Sequence, residues 1–250
     1  MGRFKDKVAL VTGAGSGIGL ATATRLAAEG ATLVAGIADE GQRGAVAELA
    51  AGPDAPVLDV RREADWERAI ADAEGRHGGL DVLVNCAGIH RPGRALETTR
   101  GLWDEVLAVN LWGSFLGCRT AIPALRRRGG GAIVNLASIA GIRGVPGALA
   151  YASSKGGVVA LTMALALELA DQRIRVNCVC PGAIATPLLE EIIARAPDPA
   201  ALREALAAKH PMERLGHPDE VAATIAFLAS DDGAFMTGLA VPVDGGRSVR

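Results

Sequence analysis

The 250-residue sequence predicts an α/β fold, a doubly wound, seven-stranded parallel sheet with helices on both faces. Three observations carry that expectation. Hydrophobic residues make up 50% of the chain but aromatics only 3%, so the core must be Ala, Val, Leu and Ile, as in short buried strands under Ala-rich helices. Apolar runs of strand length alternate with stretches whose apolar residues recur at helical spacing. No linker, repeat or low-complexity segment interrupts the alternation, so residues 1–250 read as one domain.

The first strand is Val8–Val11, and the helix Ile18–Glu29 follows it after a glycine-rich turn. Thr32–Ala35 and Val57–Asp59 are the second and third strands. The helix Ala64–Arg76 then follows, its apolar residues at three and four spacing. Val82–Val84 is the fourth strand, Leu102–Leu125 a long helix, and Ala132–Leu136 the fifth strand. Arg126-Arg127-Arg128 before Gly129-Gly130-Gly131 reads as a helix end, where cations meet the negative end of the dipole and glycine lets the chain leave. Ala150–Ala170 reads as a buried helix, Ile174–Val179 as the sixth strand and Val221–Ala229 as the last helix. Ala240–Val243 is the seventh strand, and Pro242 suits it to a sheet edge. Between residues 183 and 217, prolines at 187, 197, 199 and 211 punctuate an insertion rich in Ile and Leu. An apolar excursion after the C-terminal end of a strand predicts a substrate lid.

Composition excludes several classes. A formal net charge of -2 and a pI near 6.1 leave no electrostatic footprint for nucleic acid. Cys86, Cys118, Cys178 and Cys180 contain no Cys-x-x-Cys pair and read as reduced, buried thiols. His77, His90, His210 and His217 are scattered, so no metal site is expected. A strand begins almost at once, which leaves no room for a signal peptide. The longest apolar helix is interrupted by Glu168 and reads as too short to span a bilayer. A soluble, cytoplasmic protein without membrane or nucleic-acid partners is the expectation.

Thr12-Gly13-Ala14-Gly15-Ser16-Gly17-Ile18-Gly19 joins the first strand to the first helix. Glycine permits a tight turn and close approach to a pyrophosphate, and the helix start offers free N–H groups to the anion. With a strand before it and a helix after it, the string predicts a dinucleotide site in a Rossmann-like fold. Tyr151 and Lys155, four apart on the buried helix, share a face. A cation beside a phenol is expected to lower its pKa and so provide a general acid–base near neutral pH.

Thr12-Gly13-x-x-x-Gly17-x-Gly19, Asn85-Cys86-Ala87-Gly88, Ser138, Tyr151-x-x-x-Lys155 and Pro181-Gly182 occur in order. Together they strongly resemble the classical short-chain dehydrogenases/reductases, over nearly the whole chain. Cys86, where the family often has Asn, is a small departure. The resemblance implies that Tyr151 exchanges the proton of the substrate oxygen and Lys155 holds the nicotinamide ribose. It implies that Ser138 stabilises the same oxygen and Asn110 supports a relay water. Gly13, Ser16, Gly17, Ile18 and Gly19 would hold the phosphates, and Asp59 and Val60 the adenine. Asn85, Ala87 and Gly88 would line the adenosine ribose side, and Pro181, Gly182, Ile184 and Thr186 the carboxamide side.

The cofactor implied is NAD or NADP. Ile37 stands where NAD enzymes often place an Asp, Ser16 and Ala38 stand where NADP enzymes place a cation, and Asp39 would repel a phosphate; the balance favours NAD. The implied reaction interconverts a secondary alcohol and a ketone by hydride transfer. Small and aliphatic residues in the substrate-facing segments suit a small apolar or alicyclic substrate. His90, Arg91 and Arg143 read as a solvated rim, although each could recognise a carboxylate or phosphate. A 3-oxoacyl thioester on an acyl carrier protein, reduced with NADPH, is the alternative. A non-catalytic dinucleotide-binding redox sensor is a remote one, because a sensor needs no Ser138, Tyr151 and Lys155 together. Related enoyl reductases space their Tyr and Lys differently. The resemblance also implies a homotetramer pairing the helices Leu102–Leu125 and Ser153–Ala170.

Overall fold

The runs of Val, Ala and Leu between the helices pair side by side as β1 (Val8–Thr12), β2 (Thr32–Gly36), β3 (Val82–Asn85), β4 (Gly131–Leu136), β5 (Ile174–Pro181) and β6 (Ala240–Val243). All pairs are parallel, in the order β2-β1-β3-β4-β5-β6. The structure, a computed structural model, describes residues 2–47, 49 and 55–249. Strand side chains alternate between two cores. Ala9, Val11, Leu33 and Ala35 pack with α1 (Gly17–Ala28). On the other face, Val8, Leu10 and Val34 pack with Trp66 and Ile70 of the helix Glu63–His77. Between these, a short helix, α2 (Arg43–Val46), precedes α3 (Glu63–His77).

Among the described residues the sheet has six strands, not the expected seven. Among them, the segment Val57–Asp59 makes one isolated parallel bridge, Ile37 to Val57. Ile37 N–H donates to Pro56 O (3.0 Å) and Leu58 N–H to Ile37 O (2.9 Å). The ladder stops there for local reasons. Pro56 has no N–H to give, and the Asp59 N–H is taken by the Asp65 carboxylate at 3.0 Å.

The long helix expected over Leu102–Leu125 runs as α4 (Arg100–Leu107), a π turn (Ala108–Trp112) and α5 (Gly113–Arg127). Such a turn inserts one residue into the helical ladder and frees backbone groups. Here Ser114 Oγ donates to the Asn110 carbonyl at 2.8 Å. The buried helix is α6 (Leu149–Leu169). With its final turn it spans Leu149–Gln172, 24 residues containing an 18-residue window of mean hydropathy 1.2, so by length and composition it is not too short to cross a membrane, which corrects the sequence expectation. It docks on the sheet through Leu165, Ala166 and Leu169, and carries Ser154 and Lys155 on its buried side. The segment after β5 folds into α7 (Pro187–Ala194) and α8 (Pro199–Ala208), and α9 (Pro218–Ala229) packs on α1. The four cysteines are free and buried.

Candidate active site

β1 and β3 are neighbours, yet the chain leaves them toward opposite sides of the sheet, which opens a crevice at their C-terminal ends. Thr12 ties the two ends together: its Oγ1 accepts from Cys86 N–H (3.1 Å) and Ala87 N–H (3.2 Å). The glycine turn forms one wall. A Cβ at Gly19 would stand 2.1 Å from the Gly13 carbonyl oxygen, and Gly13 itself holds φ 63°. Ser16 is extended at the start of α1, its side chain caps nothing, and no acid lies in the first turn. Gly17, Ile18 and Gly19 therefore offer the positive end of α1 to the crevice. That uncapped helix start, close glycine packing and a cavity of about 740 Å³ fit a dinucleotide.

The sequence-predicted residues fall largely on this cavity. Gly13, Ser16, Gly17, Ile18, Gly19, Asp59, Val60, Ala87, Gly88, Ser138, Tyr151, Lys155, Pro181, Gly182, Ile184 and Thr186 all line it. Asn85 and Asn110 do not. Asn85 is turned into the core, where its Nδ2 donates to Asn135 Oδ1 at 2.9 Å. Asn110 clamps the chain leaving β3: its Oδ1 accepts from Ile89 N–H (2.8 Å) and its Nδ2 donates to Ile89 O (3.0 Å) and Ser154 Oγ (3.0 Å). Asp59 is bound by Arg61 at 2.7 Å, which holds its carboxyl below the ordinary range. Thr186 Oγ1 also caps α7, accepting from Leu189 N–H at 3.3 Å. Ile37, expected beside the ribose, is fully buried among Leu33, Ala35 and Val46; Ala38, Gln42 and Arg61 stand on the wall instead.

At the chemical end, Lys155 Nζ donates to Leu136 O at 2.6 Å and lies 5.8 Å from the centre of the Tyr151 ring. A Cβ at Gly88 would lie 3.3 Å from Asn110 Oδ1 and 3.4 Å from Lys155 Nζ, so the three meet. Ser138 Oγ accepts from Ala140 N–H at 3.1 Å, which fixes it on the wall. The expectation that Lys155 lowers the phenol pKa is corrected. Burial raises Tyr151, and the opposing influence is a hydrogen bond with Ser138. Burial also pulls Lys155 down to about 8, which weakens the charge that was to act on the phenol.

Two histidines read differently in three dimensions. His210 is buried and structural: its Nε2 accepts from Ala183 N–H (3.1 Å) while Nδ1 meets Leu206 O (2.8 Å), so it pins α8 to the end of β5. His90, read from sequence as rim, lines the cavity and packs edge-on against Tyr151 with ring centres 4.8 Å apart. Arg91 is taken by Glu105 at 2.8 Å, and Arg143 donates to the Arg247 carbonyl. Leu188, Leu189 and Ile192 of α7 and Leu202 and Leu206 of α8 close the apolar side.

A family model described as enoyl-(acyl carrier protein) reductase matches residues 13–248. Levodione reductase of Leifsonia aquatica is 41% identical over 98% of this chain and 96% of its own length. A crystal structure of levodione reductase superposes with TM-score 0.92 at 39% identity, covering 98% of this chain and 99% of that one. The 3-oxoacyl-[acyl-carrier-protein] reductase FabG of Thermotoga maritima is 41% identical, covering 98% of each chain. The 2,5-dichloro-2,5-cyclohexadiene-1,4-diol dehydrogenase LinX of Sphingobium indicum is 42% identical, covering 99% of this chain and 98% of its own.

Proposed function

Because this chain belongs to the classical short-chain dehydrogenase/reductase family, we propose that it interconverts a secondary alcohol and a ketone by hydride transfer, with Tyr151 as general acid/base. Relatives named for that chemistry support the reaction class, and the enclosure of Tyr151, Ser138 and Lys155 in one cavity carries the assignment of roles. NAD or NADP, when bound, supplies the hydride carrier. The residues of the chain do the rest. Ser138 Oγ donates a hydrogen bond to the substrate oxygen and stabilises charge developing there. Tyr151 Oη gives that oxygen a proton in reduction and takes it in oxidation. Lys155 Nζ orients the ribose side. The Asn110 side chain is engaged with Ile89 and Ser154, and its main-chain carbonyl, in the π turn, accepts from Ser114 Oγ; support for a relay water is assigned to this residue.

NAD is the favoured cofactor. Arg61, which lines the same cavity as Ala38 and Gln42, is already neutralised by Asp59, which leaves it little to hold a 2′-phosphate. The aliphatic wall supports a small apolar or alicyclic substrate, with α7 and α8 as its lid over 183–217. The FabG relative favours one second reading, reduction of a 3-oxoacyl thioester. A homotetramer is supported by apolar residues exposed on the long helices, Trp112, Met163 and Leu167 among them. Four reduced thiols support a cytoplasmic setting, checked by recovery in the soluble fraction of its cells.

The decisive experiment compares wild type with Tyr151→Phe. NADH is expected to raise the melting temperature of both, more than NADPH does, by selective binding to the folded state. Alcohol oxidation should fall at least about a hundredfold in the variant. Turnover at the wild-type rate would remove Tyr151 from the chemistry. A larger shift with NADPH would reverse the cofactor assignment, and reduction of acetoacetyl-CoA in preference to simple ketones would favour the second reading.

A further inference from the structure

The aliphatic wall carries one polar ring whose hydrogen bonding the fold leaves open. Ile89 is clamped at both its N–H and its C=O by the Asn110 amide, so the backbone that carries His90 is fixed. The His90 ring stands edge-on to Tyr151, at 63° between the planes, and lines the cavity. Its Nδ1 is buried and has no partner among the described residues.

That orphan decides the tautomer. A buried N–H without an acceptor costs more than a bare lone pair, because a donor has no second way to be satisfied. The proton therefore sits on Nε2. Burial and the neighbouring Arg91 lower the pKa of the ring, which keeps it neutral with that single proton. No partner for Nε2 is found among the described residues, so the Nε2–H is a donor left for whatever fills the space beside the phenol.

We infer that His90 is a specificity-determining residue, whose Nε2–H donates to a second oxygen carried by the substrate beside its reacting carbon. The substrate class is then a vicinal diol, hydroxyketone or diketone on an otherwise apolar frame. This rests on the alcohol–ketone reading above. One donor in an aliphatic wall fixes the orientation of the ring or chain bound there, and the edge-on contact puts the imidazole beside the Tyr151 ring in the same cavity.

The test compares cyclohexane-1,2-diol with cyclohexanol in wild type, His90→Phe and His90→Gln. Phe keeps a ring against Tyr151 but removes the N–H; Gln restores a donor. His90→Phe is expected to lower the ratio of kcat/KM for the diol over that for cyclohexanol about tenfold, the worth of one buried neutral hydrogen bond. His90→Gln should recover part of the diol activity. Equal loss on both alcohols, or no loss on the diol, overturns the inference. A second readout does not need turnover: with NADH bound, the diol should raise the wild-type melting temperature more than cyclohexanol does, and His90→Phe should abolish the difference. If neither alcohol turns over with NAD or NADP but the difference is present, the reaction assigned above fails while the role of His90 stands. No difference in wild type removes that role.

Discussion

Lys155 is buried with its ammonium on one carbonyl, and burial sets how it titrates. Between about 8 and 10.5 the unfolded chain keeps a proton that folded Lys155 has lost, so stability rises with pH through that window. Below it the cost of enclosing the charge is fully present, about 3 kcal/mol. Tyr151 acts in the opposite sense: its raised pKa keeps the phenol protonated in the folded chain, so stability falls as pH climbs past 10. Urea unfolding from pH 7 to 10 should therefore show a rise that Lys155→Met flattens. A parallel profile in the variant would show that Lys155 is hydrated and not buried. The phenol held as a donor near neutrality suits reduction there, and oxidation should gain as pH rises. Ser138, Tyr151 and Lys155 were singled out through the order and spacing of family motifs, and the fold brings the three to one cavity. Ile37 was read as a ribose-side position, although Leu33, Ala35 and Ile37 share one parity of an extended chain and that parity faces the core, a signal that points to its burial. His90 was not legible, because its burial comes from Tyr151, far away in sequence.

Helix starts and strands were read well where the cause is local and poorly where it is not. The β1–α1 turn is written in glycines, and the structure shows why they cannot carry side chains. Gly19→Ala is expected to cost at least about 2 kcal/mol, since its Cβ would meet backbone at 2.1 Å, and to abolish stabilisation by NADH. Gly75→Ala is the control: it lies inside α3 with nothing within 4 Å, so it should gain about 0.5–1 kcal/mol from helix propensity. Denaturant midpoints for the pair check both, and a stable, NADH-responsive Gly19→Ala would show that the turn tolerates a Cβ. The expected third strand failed for a reason composition hides. Val57–Asp59 has the apolar run, but Pro56 lacks a donor and Asp65 captures the Asp59 N–H, so among the described residues one bridge is all that forms.

Across the molecule, strand alternation was enough to predict a parallel sheet, and β6 with Pro242 does sit at its edge. The assembly is less legible, because an apolar helix face looks alike whether it meets the sheet or a second chain. Leu167 is 85% exposed on α6 while Leu165 and Leu169 are inside. Leu167→Arg should reduce the sedimenting mass below a tetramer without unfolding the chain; a mass unchanged from wild type would take α6 out of the interface. The enclosed thiols bear on how this chain ages. Cys118, Cys178 and Cys180 are free and shut inside, away from the cavity that Cys86 lines, so an alkylating reagent reaches none of these three while the fold is closed. Each modification event must wait for an opening, and the pace at which thiols disappear becomes a clock for how often the whole molecule comes apart.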